Sequence, residues 1–495
     1  MEVQDLLTDA LPAEEDSLDP ETASCLEQLS LDGIGEDEIK VGLEILATSS
    51  RSSETLRNCL AKSTILARLV QIISTESVKP SPQSLQPALR CIGNACFENE
   101  EAANKLATMG LEWVVGILQH GHDDSIGIAI NVLNNICIQS TEAQKQACKL
   151  GLDDELLYLL IKPSVSETAV NVPLDLVLLI ASHRKEANRH GVPAWENDGE
   201  DFTTGLLAWA IRSSTEPSID DWACTIEIIL TYVRDREAQA QIVESKVVDK
   251  VWDLLSRNED LIAQSQQRRA SSSGEEEEKI DPEEMRRLLK PESMSLTWIL
   301  SDLAAHSSFV SVYGLDESWL QAVIIDTLLR APSAVGGATA ALNSDARPNA
   351  ACQVLGNLLH ALPPSAAVPL VQQKLLHQPL LAAMAGTDDA DFLHSATGLL
   401  IKLARPSVEI CKVIASDIHM LPALEKLNAH PMQQLKQDAL ALMRALGKNS
   451  PAVQERLKGV AKDVLVAAAA AQSREAANGG LPQAVTPGSI TGLEG

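Results

Sequence analysis

The chain has 495 residues, of which 45% are hydrophobic, 22% charged and 3% aromatic, and 40 Lys plus Arg face 68 Asp plus Glu for a formal charge of −28. That length suits about two to four globular domains, and few aromatics beside abundant Leu and Ala disfavour a β-sandwich or barrel. The acidic balance speaks against duplex DNA or RNA, whose phosphates must be met by Lys and Arg, and suits a partner carrying a basic segment.

Along the chain, residues 1–38 hold 13 Asp or Glu and no Lys or Arg, and read as an acidic, disordered tail. Helical patterning takes over at residue 39 and is predicted to form one repeat array over 39–262 and a second over 294–471. Residues 42–73 look like an early unit with a degenerate first half. The clearest repeat pairs Ala88–Cys96 with Ala129–Cys137, each with an Asn (Asn94, Asn135) followed by the same Gly-Leu junction (Gly110-Leu111, Gly151-Leu152), at a constant offset of 41. The core returns around Asn357, with weaker copies at 174–181, 224–233, 298–304, 396–404 and 439–446.

Two interruptions and a tail complete the reading. Residues 263–293 form a polar, acidic insertion, loop-like over 263–284, with Glu275 to Glu278. In it Arg268-Arg269-Ala270-Ser271 resembles a basophilic kinase site, which makes Ser271 a candidate for phosphorylation. Residues 331–347 are Ala/Gly/Ser-rich and read as an inter-helix loop. A last apolar helix is expected to end near Ala471, and 472–495 read as a disordered tail.

A period near 41 with two or three helices per unit predicts an all-α armadillo/HEAT-type solenoid, a right-handed superhelix with a long concave face. In each unit the Asn and the residue four before it should project together on that face, and the junction Gly should permit the turn. The ladder so defined runs Arg90/Asn94, Asn131/Asn135, Asp175/Leu179, Glu227/Thr231, Trp298/Asp302, Gln353/Asn357 and Gly398/Lys402. Carboxamides offer both a donor and an acceptor to an extended peptide backbone, and carboxylates between them attract Lys and Arg. Asn94, Asn131, Asn135, Asp175, Glu227, Asp302 and Asn357 are therefore the candidate partner-binding residues. Asn at this position can equally stitch neighbouring helices of the solenoid, and both roles can coexist.

Catalytic motifs are missing: there is no phosphate-binding loop, dinucleotide fingerprint, nucleophile elbow or zinc-protease motif. No cofactor or metal is expected. His120-Gly121-His122-Asp123-Asp124 imitates a ligand set but reads as a polar turn. The nine Cys are scattered, with no C-x-x-C pair, and read as buried reduced thiols. No apolar run is long enough for an integral membrane segment and the first residues do not read as a targeting peptide, so the cytoplasm is expected, with the nucleus as an alternative.

The units Ala88–Leu118 and Ala129–Leu160, with Gly93-Asn94, the Glu100-Glu101-Ala102 after the helix and the Gly110-Leu111 junction, resemble armadillo repeats of the smg-type GDP-dissociation stimulators (SmgGDS). Ser395–Leu424, with Leu403-Ala404-Arg405-Pro406 and His419-Met420-Leu421, is similar to a C-terminal repeat of that family. The resemblance spans roughly residues 40–460. It implies a cytoplasmic non-enzyme that binds small GTPases of the Rho and Rap types through their basic, prenylatable C-terminal tails, as chaperone or guanine-nucleotide exchange factor. Carried over by residue, it reaches Asn94, Asn135 and Asn357; Lys402 departs from it where a late repeat would hold Asn. The alternative is an armadillo adaptor of another line, such as the ataxin-ten family. A nuclear import adaptor would need spaced Trp beside the groove Asn, and only Trp298 comes close.

Overall fold

The computed structural model describes residues 36–77, 83–120, 123–162, 172–189, 193, 201–213, 218–271, 282–315, 317–334, 345–448 and 450–458. The tail read over 472–495, the helix expected to end at Ala471 and most of the tail read over 1–38 lie outside them. Among the described residues the regular structure is helical and contains no strand. The protein is an all-α solenoid, with two compact units dividing between Ile242 and Val243.

In the first unit one helix of each repeat stacks on its counterpart in the next. These are α1 (Glu36–Ser50), α2 (Leu85–Cys96), α3 (Asp123–Gln139), α4 (Leu174–Ala181) and α5 (Ile219–Val233). Between them run pairs of shorter helices, such as Glu100–Met109 with Glu112–His120 and Thr141–Lys149 with Leu152–Ile161, which stack on their own kind. Each repeat is too small to close a core alone, and its apolar face is covered by its neighbour. Leu89, Ile92, Ala95, Leu133, Ile136 and Cys137 are all sealed from solvent in this way. Residues 42–73, read as an early unit with a degenerate first half, fall on three helices: α1, Glu54–Leu60 and Ser63–Glu76.

Local chemistry sets the helix ends. Asn99 and Ser140, 41 residues apart, both take the N-cap: Asn99 Oδ1 accepts from the Ala102 N–H at 3.0 Å and Ser140 Oγ from the Ala143 N–H at 3.2 Å. The junction glycines Gly110 and Gly151 sit at φ of +100° and +79°, where a Cβ would be strained. The sequence expectation for these turns is thus met.

The second unit repeats the plan with α6 (Pro282–Ala305), α7 (Ala346–Ala361), α8 (Ala390–Leu403) and α9 (Gln433–Gly447), each stacked on the next. The insertion expected at 263–293 is narrower than its composition suggested. Helix Val248–Ser271 runs on to Ser271, and α6 begins at Pro282. Ala, Gln and Arg at 263–270 are good helix formers, and Pro282 followed by Glu283 and Glu284 is a favourable helix start. The loop expected at 331–347 is likewise trimmed, by a helix that reaches Ala334 and by α7 from Ala346.

Candidate functional site: the inner-helix ladder

The two members of each ladder pair do different things. The Asn side chains turn toward the preceding helix of the stack. Asn94 Nδ2 donates to the Ala47 carbonyl at 2.8 Å and to Ser50 Oγ at 3.0 Å. Asn135 Nδ2 donates to the Gly93 carbonyl at 3.1 Å, and Asn357 Nδ2 to the Ser301 carbonyl at 2.9 Å and Ser301 Oγ at 3.1 Å. Ala47 and Gly93 lie in the last turns of α1 and α2, where carbonyls lack a backbone partner within their own helix, the Ala47 carbonyl accepting also from Ser50 Oγ at 3.3 Å. Each Asn of α2 and α3 thereby caps the helix before it, which is the stitching role. At the departure, Lys402 of α8 stands over Gly356 of α7, its Nζ 3.4 Å from where a Gly356 Cβ would be. Burial and the nearby Arg405 charge both push its ammonium pKa down.

The residue four before each Asn position faces outward. Arg90, Asn131, Asp175, Glu227 and Trp298 are all exposed, and Gln353 is half-buried. This column, rather than the Asn column, carries the variable chemistry. Arg90 is answered by Glu44 of α1 at 2.6 Å. Asp302, an Asn-position residue that does face solvent, has its carboxyl lifted above the usual aspartate value by partial desolvation.

On α4 and α5 the column becomes acidic. The half-buried Cys224 thiol donates to Asp175 Oδ1 at 3.2 Å. Its pKa is raised to about 12, first by burial, then by Asp175, with Glu227 and Asp221 adding to the same effect. Three exposed carboxylates thus surround one point, and none has an ion-pair partner among the described residues. Of these, Asp175 and Glu227 were expected from the repeat alignment. Asp221 was not, although its position in the first turn of α5 is a signal that spacing could have used.

A second cluster, invisible to motif reading, lies beneath α5. Asp153, fully buried, and Asp154 accept from Arg184 Nη1 at 2.6 and 2.7 Å and pair also with Arg189, while the Tyr232 hydroxyl donates to Asp153 at 2.8 Å. The Arg184 guanidinium lies 4.4 Å from the Tyr232 ring centre. Arg189 also caps the helix Thr141–Lys149 by donating to the Cys148 carbonyl at 2.7 Å. Residues 182–189 form turns where other repeats have a helix, and this network pins them down. Its role is structural.

The remaining expectations fall as follows. No disulfide joins the described cysteines, and all but Cys224 are buried. Burial pushes Cys91, Cys96 and Cys137 up to about 12. No group of three metal-ligating side chains occurs among the described residues, and His122 lies outside them. Ser271 ends its helix, and its side chain lies outside the described residues. No described helix is long and apolar enough to cross a membrane. No protein-family model matches the chain, and no curated protein matches it.

Proposed function

We propose that this protein binds small GTPases of the Rho and Rap types, taking the polybasic, prenylatable C-terminal tail on the inner-helix ladder and acting as chaperone or GDP-dissociation stimulator. The observation that supports the reading is the group of exposed carboxylates Asp175, Asp221 and Glu227 on consecutive helices of the ladder, none with an ion-pair partner among the described residues. Lys and Arg side chains find there a field undiminished by counter-charges, and an excess of negative charge over the chain speeds their approach. Exchange needs no catalytic residue here: a better fit to the nucleotide-free GTPase shifts its equilibrium toward release of GDP.

The test is titration of the purified protein with a labelled Rho-type GTPase, with and without its basic tail, at two salt concentrations. Binding should depend on the tail and weaken with salt. Asp175→Lys with Glu227→Lys should reduce it at least tenfold, about 1.4 kcal/mol. Both side chains are exposed, so the fold should tolerate the change. Binding unaltered by tail removal would overturn the reading.

A second reading, an adaptor for a folded partner, draws on two apolar side chains. Phe97 and Ile138 occupy equivalent repeat positions and are 50% and 57% exposed. A flat protein surface would cover them better than a tail would.

A further inference from the structure

The second unit holds a cavity of about 180 Å³ walled by three consecutive helices of the ladder, with Trp298 in its lining. Lys290, Met294, Thr297 and Trp298 come from successive turns of α6, Asn349 and Gln353 from α7, and Asp389, Asp391 and His394 from the start of α8. Trp298 is 59% exposed and Met294 41% exposed, an unusual cost for the two largest apolar side chains of the wall unless something covers them.

The polar groups around the indole are partly uncommitted. Gln353 Nε2 donates to Asn349 Oδ1 at 3.2 Å and to Ser395 Oγ at 3.3 Å. That leaves the Gln353 carbonyl oxygen and the Asn349 amide nitrogen without partners among the described residues, one acceptor and one donor. Thr297 is 1% exposed, lines the cavity, and its Oγ1 has no hydrogen-bond partner among the described residues, a state that buried hydroxyls seldom keep.

The charges are equally one-sided. Lys290 is answered by Glu259 at 3.8 Å, and His394 by Asp438 at 2.7 Å. Asp389 caps α8, accepting from the Asp391 and Phe392 N–H groups at 3.0 and 3.1 Å. Neither Asp389 nor Asp391 has an ion-pair partner among the described residues. An electron-rich aromatic face beside unanswered carboxylates is the chemistry that receives a cation.

We propose that this cavity is a peptide-binding site that takes one Arg or Lys side chain of an extended segment, stacked on Trp298 with its charged head toward Asp389 and Asp391. The peptide backbone engages Asn349 and Gln353. The site rests on the reading above only in taking a basic peptide as its ligand. It differs in mechanism: the carboxylates of α4 and α5 attract charge at a distance, whereas Trp298 selects a side chain by contact. Binding here is therefore less salt-sensitive than the capture step.

The test uses the full chain and two synthetic unstructured peptides, one with a central Arg-Arg pair and one with citrulline at both positions, followed by tryptophan fluorescence and acrylamide quenching. The Arg peptide should bind and shield the quenchable signal that Trp298→Ala removes, and the citrulline peptide should bind markedly less. Trp298→Ala should weaken the Arg peptide by about three- to thirtyfold, with Trp298→Phe in between. No binding of the Arg peptide, equal binding of the citrulline peptide, or wild-type affinity in Trp298→Ala would overturn the proposal. If affinity survives Trp298→Ala but falls in Asp175→Lys plus Glu227→Lys, this site fails while capture on the first unit stands. If Trp298→Ala weakens the peptide and no tailed GTPase binds, the site stands and the GTPase reading fails.

Discussion

An asparagine amide that donates to the helix before it is a small contact with a repeated consequence. Asn94, Asn135 and Asn357 each satisfy a carbonyl of the preceding inner helix. Removing the Asn135 donor leaves the buried Gly93 carbonyl unpaired, which costs more than the bond contributes on average, whereas the Ala47 carbonyl keeps Ser50 Oγ and the Ser301 carbonyl lies inside α6. Asn135→Ala should lower the unfolding free energy by about 1–3 kcal/mol, and Asn94→Ala and Asn357→Ala by about 0.5–1.5 kcal/mol, read as a drop in urea midpoint without a change in slope. Asn131→Ala, on the exposed column, should stay within about 0.5 kcal/mol of wild type. Equal effects at Asn131 and Asn135 would remove the distinction drawn between the two columns.

Among the elements, α6 is a 24-residue helix with a proline in its interior. Pro291 within it can donate no backbone hydrogen bond to the turn before. The fully buried Asn258 braces the helix on both sides of that residue, donating to the Leu289 carbonyl at 2.7 Å and to Ser293 Oγ at 2.8 Å. Ser293 in turn donates to the buried Glu259. Burial raises the Glu259 pKa, against the opposing pull of Lys290 and the Ser293 bond. The folded state therefore holds this proton more tightly than the unfolded chain, so the stabilisation is fullest below the ordinary glutamate value near 4.5. It is lost as pH rises through the higher folded value. Glu259→Gln should remove that component: urea unfolding measured from the ordinary glutamate value upward should show a shallower fall for the variant. An identical pH profile would show that Glu259 does not titrate differently on folding.

How far such features were legible in the sequence depends on whether they repeat. Asn94 and Asn135, and Gly110 and Gly151, recur at one spacing, so periodicity located them; the N-caps Asn99 and Ser140 keep the same spacing but differ in residue type, and the repeat did not announce them. Asp153, Arg184, Arg189 and Tyr232 occur once and are joined across more than one repeat, so no local pattern announced them. Low complexity misled in the other direction. The Gln- and Arg-rich residues at 263–270 and the Glu-rich residues at 283–284 carry helix propensity as well as polarity, and the neighbouring helices extend through them. Trp298 was legible as a member of the ladder, whereas the exposure of Met294 was beyond reach, because an apolar residue at helical spacing reads as core until the packing is seen.

At the scale of the molecule, a solenoid gathers stability repeat by repeat, from each unit and its interface with the next. A local loss should thus stay local. The buried Asp153 network is the place to test this, because removing one member of a buried ion cluster strands the others and costs about 3–5 kcal/mol. In Asp153→Ala, Arg184, Arg189 and the hydroxyl of Tyr232 lose the fully buried one of their two shared acceptors, leaving two guanidinium charges against Asp154 alone. Amide hydrogen exchange should accelerate strongly over 141–233, where the network ties Thr141–Lys149, Leu152–Ile161, the turns at 182–189 and α5 together. Exchange over 346–447 should stay within about twofold of wild type, since α7, α8 and α9 draw their burial from one another. Uniform acceleration across both regions would mean that the chain unfolds as one cooperative body. Local acceleration would place the two proposed peptide sites, on α4–α5 and on α6–α8, in parts of the solenoid that can be weakened separately. Loss of one would then leave the other able to bind.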